Sequence, residues 1–271
     1  MRVIPSPPFV SPPGLIRMRI EVAGHTHVGM KRSHNEDNFL LLSEEHLYCV
    51  ADGMGGHSSG EIASKIAVDE LAEFFRMTSR DRDCTWPYKM DRARNYDENR
   101  LQTGIKLANV RIFEHANSES KYHGMGTTIV AVHFSNGVAY LAHVGDSRGY
   151  FLRGRALRQL TEDHSLLNDY LKAKKLTPDE IEAFPHKNVI VRALGMKESV
   201  QVDMMRMEPR PGDLFLLCSD GLSGMMSDAE IEATLIHTPD LDAACKELIE
   251  KANTAGGTDN ITCILTRYQE S

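Results

Sequence analysis

Four aspartates lie where apolar runs of this sequence end or begin, and their side chains could together hold a divalent cation. Asp52, Asp146 and Asp220 follow such runs and Asp259 precedes another, each beside a small residue. One Asp-Gly pair alone usually marks a turn. Carboxylates gathered at the ends of buried strands, however, would repel one another and lose hydration unless a partner neutralised them. Because these ligands are all oxygens, the predicted partner is Mg²⁺ or Mn²⁺.

A second group of charged residues precedes the first of these apolar runs. Glu36 and Asp37 are adjacent carboxylates that could add negative charge to the same site, and Arg32 lies four residues before Glu36. The planar guanidinium of an arginine can bind two oxygens of a phosphate or a carboxylate. An arginine near acidic residues is also commonly an ordinary surface ion pair. The fragment by itself leaves both interpretations open.

The composition limits the class of protein. The 271 residues include 31 Lys and Arg against 38 Asp and Glu, a net charge of −7, which argues against binding of nucleic acid or an anionic membrane. No apolar stretch approaches the roughly 18 residues that a membrane span needs. The five cysteines show no C-x-x-C pairing. These features predict a globular protein of the reducing cytoplasm.

The first 17 residues differ from the rest of the chain. They contain five prolines, which would interrupt the apolar segment of a signal peptide and favour a disordered lead: Pro5, Pro7, Pro8, Pro12 and Pro13. Met18 opens a strand-like segment, and we hypothesise that it is a second or true start codon, which an intact-mass measurement would test. Residues 18–271 are predicted to form a single domain.

Hydrophobic patterning predicts the elements that position these side chains. Short apolar runs predict strands at Asn38–Leu42, Leu47–Ala51, Thr128–Phe134, Ala139–Val144, Tyr150–Arg153, Val200–Met207, Asp213–Cys218 and Ile261–Thr266. Longer amphipathic segments predict helices at Gly60–Phe75, Asn99–Ala116, Asp228–Ile236 and Asp240–Asn253. Ser227 and Glu230 form a capping-box pattern before the third helix. Because strands and helices come in blocks, the order favours an α+β layered sandwich over a doubly wound parallel sheet.

Two segments fall outside these elements. Residues 77–100 are polar and predict a loop inserted between two helices, to which we assign no chemistry. Residues 165–187 carry two short amphipathic patterns, the second beginning at Thr177 and Pro178, a favourable N-cap pair. This segment predicts either a small projecting flap or an ordinary helical hairpin at the surface.

Seven motifs, taken together and in order, resemble the metal-dependent Ser/Thr protein phosphatases of type 2C, the PPM class, most closely the short bacterial members. They are Arg32-x-x-Asn35-Glu36-Asp37, Asp52-Gly53-Met54-Gly55-Gly56-His57, Gly124-Met125-Gly126-Thr127-Thr128, Val144-Gly145-Asp146-Ser147-Arg148, Leu160-Thr161-Glu162-Asp163-His164-Ser165-Leu166, Ser219-Asp220-Gly221-Leu222 and Gly257-Thr258-Asp259-Asn260-Ile261-Thr262. One such motif is a weak signal. Seven in order, from about Glu21 to Tyr268, cover nearly the whole chain.

The resemblance implies a fold and a metal centre. The fold is a four-layer α-β-β-α sandwich of two antiparallel sheets flanked by helices, with two tightly bound Mn²⁺ or Mg²⁺ ions at one end. Asp52 matches the carboxylate that bridges both metals, and Gly53 matches a backbone carbonyl ligand. Asp220 and Asp259 match ligands of the first metal.

The remaining motif residues also have counterparts in the family. Glu36 and Asp37 match the acidic pair on the side of the second metal. Arg32 matches the phosphate-binding arginine. Asp146 matches the residue that, together with the counterpart of Asp220, holds a third, weaker metal in bacterial members. Residues 165–187 match the flap beside the active site.

One position departs from the animal relatives. They carry a histidine two residues after the bridging aspartate, proposed as the general acid for the leaving group, where this chain has Met54. His57 could take that catalytic role, or it could fix the Asp52 loop through a hydrogen bond. A metal-bound water could serve as the acid instead.

The resemblance implies hydrolysis of phosphoserine and phosphothreonine on proteins by a metal-activated water. The implied partners are phosphorylated proteins, including a cognate bacterial Ser/Thr kinase and its targets, with no nucleic acid and no membrane, and a monomer is the default. A catalytically silent pseudophosphatase that acts as a binding module is the alternative, although Asp52, Asp220 and Asp259 are all present. A two-metal nuclease is a third hypothesis, against which the net charge of −7 counts.

Overall fold

The computed structural model of the chain describes residues 18–55, 59–81, 84–173 and 189–270. Three features of the sequence predictions therefore lie outside the described residues: the proline-rich lead, His57, and the second helix of the segment 165–187. Among the described residues, no helix is both long and apolar enough to cross a membrane.

The described residues form two antiparallel sheets with helices on their outer faces. The strands are β1 Met18–His27, β2 Asp37–Leu42, β3 Leu47–Met54, β4 Gly126–Thr127, β5 Ile129–Ser135, β6 Val138–Val144, β7 Arg148–Arg153, β8 Ala156–Gln159, β9 Asp203–Met207, β10 Leu214–Cys218 and β11 Ile261–Glu270. The helices are α1 Ser59–Arg80, α2 Tyr96–Ala116, α3 Leu166–Ala173, α4 Asp220–Ser223, α5 Asp228–His237 and α6 Leu241–Thr254. One sheet has the order β1-β11-β10-β7-β8, and the other has β2-β3-β5-β6-β9 with β4 paired to β3.

Alternation along the strands builds the layers. Along β3, Tyr48 and Val50 pack against Leu217 of the other sheet, in a core between the two sheets. Cys49 and Ala51, on the opposite face of the same strand, pack in a second core against α1 and α2. The period of two residues is that of a strand covered on both faces.

The other sheet repeats this arrangement toward its own helices. Phe215 and Leu217 of β10 face the first sheet, whereas Leu216 and Cys218 pack with Leu248 of α6. The result is four layers in the order helix, sheet, sheet, helix. The predicted α+β sandwich with two antiparallel sheets is confirmed.

The predicted elements are present, with shifted boundaries. Strand β3 extends past the predicted end at Ala51 to Met54, so it includes Asp52, and β11 runs to Glu270. Strand β9 begins at Asp203, three residues later than predicted. The short strands β4 and β8 escaped the sequence analysis because two to four residues are too few to show a period.

The segment 77–100, which the sequence predicted to be a loop, is a loop only in its middle part. Helix α1 continues to Arg80 and α2 already begins at Tyr96, so helices occupy both ends. Asn95 caps α2 by accepting a hydrogen bond from the backbone N–H of Glu98, whose side chain in turn accepts the Asn95 N–H. The sequence analysis missed this capping box because the first turn of α2 is polar.

Candidate active site

The register of β2 and β3 brings two of the predicted acidic residues together. Asp37 lies directly opposite Asp52 in this antiparallel pair. Side chains at directly opposite positions project from the same face and are close neighbours. Asp37 begins β2 and Asp52 lies near the end of β3, so both carboxylates reach the same end of the sheet.

The other sheet delivers its acidic residues to the same end of the sandwich. Cys218, the last residue of β10, pairs with both Cys263 of β11 and Arg148 of β7. Asp220 follows β10 by two residues, and Asp259 precedes β11 by two. Asp146 stands in the turn that joins β6 to β7. Antiparallel pairing therefore gathers residues from widely separated parts of the chain.

Electrostatic coupling shows that these carboxylates are near neighbours. Burial raises the pKa of Asp52 well above its usual range, and repulsion from Asp37, Asp220, Asp146 and Asp259 raises it further. Burial also raises the pKa of Asp37 to about 7, despite the hydrogen bonds that it accepts. The pKa of Asp146 rises to about 7 through burial and through repulsion from Asp220. The aspartates that the sequence analysis assigns to one pocket therefore raise one another's pKa.

Two carboxylate oxygens in this acidic cluster are buried without a hydrogen-bond donor. Asp37 Oδ1 and Asp146 Oδ1 have no partner among the residues that the structure describes. An unpaired buried oxygen of this kind is costly, and a charged one more so. A hard divalent cation would satisfy such oxygens, and the all-oxygen donor set suits Mn²⁺ or Mg²⁺. The residues present therefore fit the metals that the sequence analysis expects.

Hydroxyl groups hold the acidic residues in place. Asp37 Oδ2 accepts hydrogen bonds from Ser219 Oγ at 2.8 Å and Thr262 Oγ1 at 2.7 Å. The backbone of Asp52 is held at both ends: its N–H donates to Thr128 Oγ1 at 3.1 Å, and its carbonyl accepts from Thr127 Oγ1 at 2.8 Å. All four of these hydroxyl residues belong to the seven motifs, but the sequence alone assigned them no role.

Replacing Thr262 by valine is expected to lower the free energy of unfolding by about 1.5–3 kcal/mol at pH 8, because the Asp37 carboxylate loses a donor. The Thr262 hydroxyl also lies 2.6 Å from that of Thr26. Thr266 of the same strand is the control, since both threonines are fully buried and Thr266 Oγ1 has no hydrogen-bond partner within the described part of the chain. Thr266→Val should be neutral or stabilising in the same urea titration. Equal losses in the two variants would contradict this account of Asp37.

Glu36 and Arg32 lie on a loop that Asn260 ties to the cluster. Asn260 Oδ1 accepts the Glu36 N–H at 2.8 Å, and its Nδ2 donates to the carbonyl of Val28 at 2.9 Å. Arg32 Nη2 donates to Asp259 Oδ2 at 2.7 Å, and this bond raises the pKa of Arg32. The Arg32 side chain is 52% exposed. The guanidinium thus sits at the rim of the cluster, where an external anion can reach it.

Gly53 lies where β3 passes the start of α1 too closely for a side chain. A Cβ at this position would stand 2.6 Å from the carbonyl oxygen of Glu36 and would overlap the carbonyl oxygen of Gly60. The Gly53 N–H donates to the Glu36 carbonyl at 3.2 Å. Met54 ends β3, opposite Gly126. The backbone beside Asp52 is therefore held close to the Glu36 loop.

A cleft of about 330 Å³ opens beside the cluster, lined by Asp146, Asp220 and Asp259 among others. Arg148 also lines it, but its guanidinium binds the Asp163 carboxylate, with Nη2–Oδ2 at 2.7 Å and Nε–Oδ1 at 3.0 Å. The arginine nearest to these aspartates in the sequence is thus committed to another acid. Its charge only partly offsets the repulsion among the aspartates, because the pKa of Asp146 is still raised to about 7. A cation from solution therefore still fits the charge.

Comparison with known proteins decides the family. The family model described as Protein phosphatase 2C matches residues 23–266. The chain belongs to the protein phosphatase 2C family. This phosphatase is 38% identical over 247 residues to the serine/threonine phosphatase stp of Listeria innocua, an alignment that covers 89% of this chain and 92% of that protein.

Solved structures agree with this membership. The serine/threonine phosphatase of S. agalactiae superposes on this phosphatase with a TM-score of 0.80 and 34% identity, covering 92% of this chain and 99% of that one. The catalytic domain of the phosphatase PstP, solved in complex with two manganese ions, superposes with a TM-score of 0.76 and 32% identity, covering 93% and 100%. The family resemblance and the sandwich fold expected from the sequence are confirmed.

Proposed function

We propose that this protein serine/threonine phosphatase hydrolyses phosphoserine and phosphothreonine side chains of proteins at the acidic cluster, with two divalent cations, Mn²⁺ or Mg²⁺, as cofactors. The observation that carries the proposal is the convergence of five aspartates at one end of the sandwich, where their carboxyl groups repel one another and three of them line the cleft: Asp37, Asp52, Asp146, Asp220 and Asp259. The two manganese ions of the PstP structure support the choice of metal.

Each acidic residue has a proposed role toward the metals. Asp52 would contact both cations and Gly53 would offer its carbonyl oxygen, while Asp220 and Asp259 would hold the first cation. Glu36 and Asp37 would hold the second, directly or through water. Asp146 and Asp220 would hold a third, weaker ion; the unpaired Asp146 Oδ1 supports this assignment.

When bound, the cations would lower the pKa of a water molecule and offset the charge of the phosphoryl group. The chain's own residues do the rest. Arg32 would bind two phosphoryl oxygens of the substrate, and its exposure at the rim makes it reachable by a side chain of another protein. Ser219 and Thr262 fix the Asp37 carboxylate, so it needs little reorganisation when a substrate binds.

The leaving serine or threonine oxygen needs a proton. Met54 has none to give, so His57 or a water molecule is the proposed acid. We further propose that the enzyme acts in the cytoplasm as a monomer on a Ser/Thr kinase and the targets of that kinase. The names of its relatives, which describe serine/threonine phosphatases, support phosphoproteins as the substrate class.

Removal of metal tests this function directly. We expect the purified chain to hydrolyse a phosphothreonine peptide in Mn²⁺, to lose turnover to background in excess chelator, and to recover it when Mn²⁺ is restored. The rate of phosphate release measures turnover under each of these three conditions. Turnover that persists in chelator would contradict the proposal.

The two competing functions give different results in cheap assays. A pseudophosphatase would give no turnover with Mn²⁺, in chelator or after Mn²⁺ is restored. Calorimetric titration with Mn²⁺ would then measure whether it still binds metal. A nuclease would nick supercoiled plasmid in Mn²⁺, which we do not expect from a chain of net charge −7.

A further inference from the structure

A second cluster of chemically capable side chains lies outside the acidic cluster. His143 near the end of β6, His164, and Asp203 at the start of β9 each offer a ligand atom, and these atoms lie within 4.8 Å of one another. The two imidazole rings stack, with centroids 4.7 Å apart and planes 16° from parallel. Two histidines and a carboxylate at such spacing resemble a transition-metal site.

Hydrogen bonds argue against a metal at this place. The Gly145 N–H donates to His164 Nδ1 at 3.0 Å, so Nδ1 supplies the lone pair and Nε2 carries the proton of the neutral ring. Nε2 then donates to Asp203 Oδ2 at 3.2 Å. Arg192 Nη1 donates to Asp203 Oδ1 at 2.8 Å and lies 3.0 Å from His164 Nε2. The charged guanidinium already contacts both Asp203 and His164, and it would repel a metal cation bound beside it.

His164 instead joins three parts of the fold. Its backbone N–H donates to the Gly145 carbonyl at 3.0 Å, so Gly145 is bound to it twice. Its carbonyl accepts the Val191 N–H at 2.9 Å, and the Leu166 N–H donates to the Val189 carbonyl at 2.8 Å. His164 thus links the β6–β7 turn to segment 189–191 and, through Asp203, to β9.

The β6–β7 turn carries Asp146, and the position of the Asp146 carboxylate depends on the residues on either side of it. Asp146 Oδ1 has no hydrogen-bond partner among the described residues, so the backbone on either side must place this carboxylate. On one side, Ser147 Oγ lies 2.7 Å from Thr128 Oγ1. On the other, Gly145 has a φ of +109°, which suits glycine, and is held by His164.

We propose that His164 is a positioning residue that sets the place of Asp146 by binding Gly145, and that Asp203, which is itself held by Arg192, orients its ring. The role rests on the proposed function, in which Asp146 serves the third, weaker cation. Burial lowers the pKa of His164, which agrees with the neutral ring that this arrangement needs. A histidine held by a carboxylate in this way is a common means of fixing an imidazole.

Two substitutions separate the two hydrogen bonds of the ring. His164→Asn keeps an acceptor near the position of Nδ1 for the Gly145 N–H, but it is too short to reach Asp203. His164→Gln reaches Asp203 with its amide and leaves Gly145 without an acceptor. Asp203→Ala frees the ring from its orienting partner and is the second test, should His164→Gln fail to fold.

Hydrogen–deuterium exchange at the Gly145 amide of the metal-free chain gives a readout that does not depend on activity. We expect exchange about five- to tenfold faster in His164→Gln and in Asp203→Ala than in the parent, and within about twofold of the parent in His164→Asn. In phosphopeptide turnover, His164→Gln should show kcat about tenfold lower and a higher Mn²⁺ concentration for half-maximal rate, with KM for the peptide little changed.

The outcomes are distinguishable. Equal Gly145 exchange in the parent and in the folded variants would overturn the positioning role, and so would equal kcat in His164→Gln and His164→Asn. A parent chain without Mn²⁺-dependent turnover would instead overturn the proposed function, while the exchange measurement would still report whether His164 holds Gly145.

Discussion

Asp220→Asn is expected to reduce Mn²⁺-dependent hydrolysis of a phosphothreonine peptide by about 1000-fold or more, a loss of roughly 4 kcal/mol of transition-state stabilisation. Burial raises the pKa of Asp220, and repulsion from Asp259 raises it further, so Asp220 lies among the other carboxylates of the cluster. The amide keeps the shape of the side chain but removes the charge that a cation requires. Initial rates of phosphate release at saturating Mn²⁺ measure the effect.

The matched control is Asp242→Asn. Asp242 is an exposed aspartate of α6 that pairs with Lys246 at the surface. It should leave turnover within about twofold of the parent, because surface ion pairs contribute little. Asp220→Asn should also lose the rise in Tm that Mn²⁺ produces in the parent, since a ligand stabilises only the fold that binds it. Unchanged turnover in Asp220→Asn would refute the proposed metal site.

Arg32→Ala is expected to lower kcat/KM for the same peptide by about 100-fold, because a bidentate, charge-assisted contact to the phosphoryl group is lost. Arg32→Lys should recover only part of that loss, since an ammonium cannot present two parallel N–H donors. Steady-state kinetics of the three proteins measure both effects.

Two comparisons isolate the phosphate contact of Arg32 from its bond to Asp259. The exposed Arg111, which pairs with Glu70 on the outer helices, offers the control variant Arg111→Ala, expected to match the parent. The Mn²⁺-induced rise in Tm should survive in Arg32→Ala if the acidic cluster still binds metal. Full activity in Arg32→Lys would mean that charge alone, without the fork geometry, is sufficient.

Much of the architecture was predictable from local pattern. The apolar runs Leu47–Ala51 and Asp213–Cys218 predicted strands, and the grouping of strands and helices in blocks predicted the layered sandwich. The two antiparallel sheets were implied by the family resemblance. The position of each acidic residue at the end of an apolar run likewise placed Asp52, Asp220 and Asp259 at the ends of strands. Seven ordered motifs then identified the family, which the match over residues 23–266 confirms.

Boundaries and short elements were less predictable. The loop assigned to residues 77–100 loses both ends to helices, because the polar first turn of α2 resembles a loop until the Asn95 cap is seen. Strands of two to four residues, such as β4 and β8, carry too little pattern to recognise.

Residue types and their spacing therefore determined that this chain has a sandwich with acidic strand ends, since side-chain period and burial are local properties of a strand or helix. Only the tertiary structure decided which partners each charge has. Arg148 binds Asp163 and not an aspartate of the cluster, Thr262 holds Asp37 from 225 residues away, and His164 contacts Gly145 and Asp203. Such contacts depend on the register and stacking of two sheets, which no single stretch of sequence encodes.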